Sequence, residues 1–208
     1  MQKENNKPII RFKGYTDAWE QRKLGSVGNT YTGLSGKTKE DFGHGEGRFI
    51  TYMNVFTNPI SSILEVEPIE IDCTQNEVQV GDVFFTTSSE TPEEVGMSSV
   101  LLEKEVNTYL NSFCFGYRPS TRFDPYYLAY MLRSDGVRKK IVFLAQGISR
   151  YNISKNKMMD IYIPIPSLAE QVQIGAYFRH LDALITLHQR KLEKLQNIKK
   201  ACLDKMFV

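Results

Sequence analysis

From Ser167 to Phe207 the chain contains no proline and a single glycine, Gly175. Stepping alternately by four and three from Ile174 meets Phe178, Leu181, Ile185, His188, Leu192, Leu195, Lys199, Cys202 and Met206, all apolar except His188 and Lys199. Apolar residues at this spacing predict one continuous α-helix carrying a seam for a second helix. Ser167-Leu168-Ala169-Glu170, directly after Pro166, has the spacing of a capping box and marks the start. A helix of about 40 residues is about 60 Å long, more than a domain built from the remaining chain can cover. Tyr177, Leu184 and Ile198 widen the apolar face beyond the seam. A partner helix is therefore expected, the alternative being a helix folded back on its own domain. His188 is read as a seam residue that sets register, not as a metal ligand.

The rest divides unequally, with a polar arm at 1–22, a mixed domain at 23–163 and the helical segment at 164–208. "DAWEQRKLG" is expected to form one helical turn at the end of the arm. "RFITYMNVF" and "DVFFTTSS" are rich in β-branched and aromatic residues and predict strands, with a turn at Val80-Gly81-Asp82 entering the second. "DPYYLAYMLRSDGVRKKIVFLA" predicts two short helices broken at Gly136. The alternating prolines of "YIPIPSL" are expected to make an extended linker. The fold class is α+β, a mixed globular domain followed by a long C-terminal helix.

"TGLSGKTKEDFGHGEG", Thr32–Gly47, ends its first third like a nucleotide-binding loop, at Gly36-Lys37-Thr38. The pattern also needs a glycine five residues earlier, where Tyr31 stands, and a helix afterwards, where Gly43, Gly45 and Gly47 follow instead. The segment is expected to be a long polar loop. Asp124-Pro125-Tyr126 lacks the second proline of a base-methylating motif, and no glycine loop for its cofactor precedes it. The scattered Cys73, Cys114 and Cys202, with no C-x-x-C, and the histidines, off zinc-ligand spacing, point to no metal site. With 41% hydrophobic residues but no membrane-length apolar run and no apolar signal core, a cytoplasmic protein is expected.

The net charge of +2 conceals a polarity. From Ile60 to Glu105 Lys104 is the only base among many acids, whereas Tyr117–Lys157 carries nine bases against Asp124 and Asp135. Such a division suggests a domain whose basic side meets a polyanion, or merely solvated strands and helices.

The terminal segment resembles the conserved helix of DNA-specificity subunits of type I restriction–modification systems. The residues carrying this are Pro166, Leu168, Glu170, Gln171 and Ile174, then Phe178, Leu181, Asp182 and Ile185, then Gln189, Lys191 and Leu192, and the closing Lys205-Met206-Phe207. "IIRFKGYTDAWEQRKLGSV", with Trp19 and Lys23-Leu24-Gly25, is similar to the family's opening, and "AQGISRYNISK" to the end of its target-recognition domain. Family members usually carry two recognition domains and two helices. One of each corresponds to a half-subunit, or to part of a longer or truncated polypeptide.

The resemblance implies DNA recognition without catalysis. No cofactor is expected on this chain, S-adenosylmethionine and ATP with Mg being expected on modification and restriction subunits. It further implies that the helix forms an antiparallel coiled coil and, in a homodimer, spaces two half-sites of double-stranded DNA. The alternative is an assembly or decoy protein that holds a modification subunit without productive DNA recognition. DNA binding needs cations for phosphates and forked polar side chains for base edges. Two segments offer both: Ser35, Lys37, Thr38, Lys39 and Arg48, and Gln146, Ser149, Arg150, Asn152, Lys155 and Lys157. Ser88, with Ser89 and Glu90, is a third, weaker candidate.

Overall fold

The computed structural model describes residues 7–207, so the first six residues of the arm and Val208 lie outside the described residues. In chain order, β1 (Glu20–Lys23) leads through a 3-10 turn at Leu24–Ser26 into β2 (Gly28–Thr32). A second 3-10 turn, Lys39–Asp41, precedes β3 (Phe42–Ile50), α1 (Tyr52–Thr57) and β4 (Val66–Ile69). Next come β5 (Val83–Thr86), β6 (Ser88–Ser89), β7 (Ser98–Val100), β8 (Thr108–Leu110) and β9 (Cys114–Pro119). The helical part holds α2 (Pro125–Arg133), α3 (Asp135–Val142), β10 (Tyr151–Asn152), α4 (Lys155–Met159), β11 (Tyr162–Ile165) and α5 (Leu168–Met206).

Strands β2, β9, β5 and β7 make an antiparallel sheet in that order, and β4, β3 and β8 a second sheet in which β3 and β8 run parallel. Every residue of β5 is buried, and its period-2 alternation serves two cores. Phe85 joins Phe115, Tyr117, Leu128 and Leu132 on the side of α2 and α3, with Phe85 and Phe115 stacked at 5.3 Å. Phe84 points the other way, into a cluster with Ile50, Val55 and Leu110. Full burial of each phenylalanine contributes roughly 1.5–3 kcal/mol before entropy. Tyr31 lies opposite Gly116, where an added Cβ would meet the ring at 2.1 Å, so only glycine lets the ring cross the sheet there.

Several local expectations are revised by distant pairing. Residues Glu20–Lys23 form no helical turn but pair antiparallel with Tyr162–Ile165, and the expected linker is thereby a strand. Pro164 is tolerated because β11 pairs with β1 alone. The boundaries expected at 22/23 and 163/164 both fall inside this ribbon. "RFITYMNVF" is a strand only to Ile50, after which the Thr51 side chain accepts from the Asn54 N–H and starts α1. The break between α2 and α3 falls at Ser134, whose extended backbone (ψ 150°) ends one helix and begins the next, and Gly136 lies inside α3.

The 39-residue α5 begins as expected, with Ser167 Oγ accepting from the Glu170 N–H. The reciprocal half of the box is absent because the Glu170 carboxylate is held by Arg11 instead, at 2.7 and 2.9 Å. The first turns of α5 pack on α2, whereas every side chain from Asp182 to Phe207 is exposed. Folding back therefore describes only the start of the helix. Among the described residues no helix is long and apolar enough to cross a membrane.

Candidate nucleic-acid interface

Two of the three sequence candidates converge. Strands β10 and β6 pair antiparallel, setting Tyr151 opposite Ser89 and Asn152 opposite Ser88. The backbones of Gln146 and Asn152 exchange two hydrogen bonds, of 3.0 and 2.9 Å, closing a hairpin whose tip carries Gly147, Ile148, Ser149 and Arg150, all exposed. Arg150 Nε donates to Ser88 Oγ at 3.3 Å, and Lys155 opens α4 a few residues on. Ser88 itself is buried, so it braces the hairpin, while Glu90 is exposed beside it. The cluster thus offers a protruding tip with a guanidinium, a hydroxyl and amides, and Lys155 and Lys157 at its base.

The Thr32–Arg48 segment is not the loop expected from its glycines. Thr38 and Asp41 form a full capping box around the 3-10 turn, and Phe42–Ile50 is a strand between β4 and β8. Gly45 has φ +94°, and the pairing with β4 shifts register between Phe42 and Gly47, so the glycines build a bulge. Lys37 Nζ lies 2.7 Å from Asp72 and 3.9 Å from Asp41, with only 12% of its side chain exposed. The hydrogen bond from Lys37, then those from Thr74, hold the Asp72 carboxyl far below the usual carboxylate range. Ser35 is tied to Gln75 through its backbone, and Arg48 donates to its own segment's carbonyls at Gly47 and Gly45 and sits 3.6 Å from Glu105. Lys39 alone among these cations is exposed without a partner among the described residues. No hydrogen bond, ion pair or strand pairing among the described residues joins this segment to the hairpin.

The charge polarity in sequence is largely internal in space. Arg118 pairs with Asp82 at 2.7 Å. Arg133 donates to the carbonyls of Val55, Phe56, Thr57, Asn58 and Ser98, at 2.7–3.2 Å, and so closes the C-terminal end of α1. Burial pulls its guanidinium down to about 10, still charged at neutral pH. Arg138 does likewise for Glu93, Val95 and Gly96. These arginines are braces, so the basic run from Tyr117 to Lys157 does not form one cationic face.

A family model described as "Type I restriction modification DNA specificity domain" matches residues 16–197. The chain belongs to this family. The type I restriction enzyme MjaX specificity subunit of Methanocaldococcus jannaschii is 25% identical over 210 residues, 99% of this chain and 49% of that protein. The StySPI specificity subunit of Salmonella potsdam is 33% identical over 120 residues, 57% of this chain and 26% of that protein. The solved HsdS subunit from Thermoanaerobacter tengcongensis shares the fold, with a TM-score of 0.59 and 20% identity over 97% of this chain and 47% of that one. The chain spans about half the length of the relatives it matches end to end.

The motif residues of this specificity family turn out to be a docking device for α5. Glu170 takes the fork of Arg11 from the arm, and Gln171 accepts from the Asp124 N–H at 3.0 Å while donating to Pro166 O at 3.0 Å. Gly175 lets the start of α2 approach, since a Cβ there would lie 2.3 Å from Asp124 Oδ1. Tyr130 packs on Phe178 at 5.3 Å and donates to Asp182 at 2.5 Å. Sequence reasoning singles out neither Arg11 nor Tyr130, and gives Asp124 no part in docking. Arg11 and Glu170 are 159 residues apart, and no local pattern connects them.

Proposed function

We propose that this chain recognises double-stranded DNA as one half of a type I specificity assembly. Its mixed domain reads one half-site, and as a homodimer its α5 pairs antiparallel with the same helix of a second copy to space two half-sites. The carrying observation is that every side chain of α5 beyond Leu181 is exposed, apolar residues included. The hairpin of Gln146–Asn152, with Arg150, Lys155 and Lys157, and the separate Lys39 are the cations placed to meet phosphates. The chain itself performs no catalysis. Modification subunits bring S-adenosylmethionine and restriction subunits bring ATP with Mg, and the complex acts in the cytoplasm.

The test is methylome sequencing of a cell carrying this chain with its modification subunit. Two-fold symmetry requires a palindromic bipartite motif, and an asymmetric motif would exclude the homodimer. In vitro, replacing Lys39, Arg150 and Lys155 by alanine should weaken duplex affinity and flatten its salt dependence by about 0.9 for each phosphate no longer neutralised. The internal pairing of Lys37, Arg118, Arg133 and Arg138 favours the second reading, an assembly or decoy protein. That reading gains if these alanine variants leave affinity and salt slope unchanged.

A further inference from the structure

The turn from β8 into β9, Asn111–Phe113, inverts the usual placing of polar and apolar groups. Asn111 is 5% exposed, whereas Phe113 is 58% exposed and belongs to none of the core clusters. The Asn111 side chain holds the turn. Its Oδ1 accepts from the Phe113 N–H at 2.9 Å, and its Nδ2 donates to Ile50 O at 3.0 Å. From the other side Thr87 donates both its N–H, at 3.0 Å, and its hydroxyl, at 2.8 Å, to Phe113 O. With its N–H and carbonyl both engaged, Phe113 offers solvent its ring alone. A single surface phenylalanine needs no explanation, but the neighbours of this one give it a role.

The turn joins the two candidate segments that do not touch each other. On one side the Leu34 N–H donates to Leu110 O at 2.7 Å. Gly33 lies so near that an added Cβ would stand 2.1 Å from Asn111 O, and this segment runs on to the exposed Lys39. On the other side the Ile153 N–H donates to Thr87 O at 3.0 Å, and the next residue, Ser88, takes the Arg150 guanidinium. The ring is therefore mounted where the Lys39 segment and the hairpin of Gln146–Asn152 are tied together. Chain flanks it on both sides, so it cannot enter a minor groove about 6 Å wide. A major groove about 12 Å wide admits a two-stranded ribbon, and the one apolar group on its base-pair edges is the thymine C5-methyl. We propose, resting on the DNA recognition set out above, that Phe113 is a specificity-determining residue that packs on a thymine methyl of the half-site. The ring has no donor or acceptor with which to read another base, and the cations on either side hold the duplex against it.

The test uses the full chain with its modification subunit and a duplex carrying the methylated motif. Each thymine is replaced in turn by uracil, which removes the methyl and nothing else. The wild-type chain is expected to lose about fourfold in affinity at one position of the half-site, what burying one methyl-sized group is worth. Phe113→Ala should bind thymine and uracil equally at that position and keep every other preference. Its salt slope should be unchanged because no cation is lost. The melting temperature should hardly move, since the ring lies outside the core clusters. A half-site without an A·T pair would overturn the assignment, as would a Phe113→Ala variant that still prefers thymine wherever the wild type does. So would fluorescence of 2-aminopurine in the half-site that rises on binding and no longer rises with Phe113→Ala, which would mean that the ring inserts between bases. Each of these outcomes leaves DNA recognition standing, whereas a wild-type complex without sequence preference would overturn both.

Discussion

Asp82 shows how a charged residue in this chain can be purely architectural. It is 1% exposed and accepts from Tyr31 Oη at 2.6 Å, Arg118 Nε and Nη2 at 2.7 Å and the Gln79 N–H at 2.8 Å. Burial, then Asp82 itself, pushes the Tyr31 hydroxyl well above its ordinary range, so the phenol remains a donor. Asp82→Ala should leave Tyr31 Oη and the Gln79 N–H without their acceptor and cost about 1–3 kcal/mol in urea unfolding. The two lysines of the Thr32–Arg48 segment make a sharper contrast. Lys39→Ala should lower the salt slope of DNA binding by about 0.9, one phosphate's worth, whereas Lys37→Ala should leave it unchanged. Lys37→Ala should instead show in acid. Asp72, held down by Lys37, and Glu77, held down by Lys104, have folded-state pKa values below the unfolded ones. Their contribution is therefore complete above about pH 4 and lost as pH falls through the folded values. Removing Lys37 removes the largest cause of the Asp72 shift, so the variant's stability should depend less steeply on pH below about 4. An unchanged acid limb would show that the pair does not act this way.

At the scale of elements, what was legible in the sequence is what is local. The α5 helix is written in its own repeat and cap, and β5 in a run of buried β-formers. By contrast, the first part of β3, Phe42–Gly47, reads as a loop because Gly43, Gly45 and Gly47 oppose regular structure, and only pairing with a distant segment makes it a strand. The β1–β11 ribbon joins segments from opposite ends of the domain, so neither end could reveal it alone. The candidate site divides the same way. Residue chemistry singled out the Gln146–Lys155 segment and Ser88, but that Arg150 reaches Ser88 depends on strand pairing 62 residues apart. Nor could a count of bases disclose that Arg133 would close α1. The docking of α5 gives a test at this scale. Gly175→Val should collide with Asp124 and the Tyr127 backbone, costing about 1–3 kcal/mol in thermal unfolding. Ala183→Val, on the exposed stretch of the same helix, should cost no more than about 0.5 kcal/mol. Equal losses would mean that the close approach of α2 to Gly175 does not set the penalty.

For the whole molecule, the division of labour in the proposed dimer is set by where α5 leaves its domain. Its first turns are locked by Arg11, Asp124 and Tyr130, so the globular part and the helix start move as one piece. The exposed remainder, paired with a second copy, then determines how far apart two recognition hairpins stand. Length in this segment becomes distance along DNA, because a seven-residue insertion preserves the seam while adding about 10.5 Å at 1.5 Å per residue. With one turn of DNA, 10–10.5 base pairs, spanning about 34 Å, that increment corresponds to about three base pairs. A heptad placed between Gln189 and Arg190 should therefore leave both half-sites of the methylated motif unchanged and lengthen the gap between them by about three. An insertion of four residues should do worse than one of seven, because it rotates the distal seam out of register and weakens the dimer before the spacing can be read. A motif whose gap stays constant under the heptad insertion would mean that α5 is an assembly tether and that something other than its length spaces the half-sites.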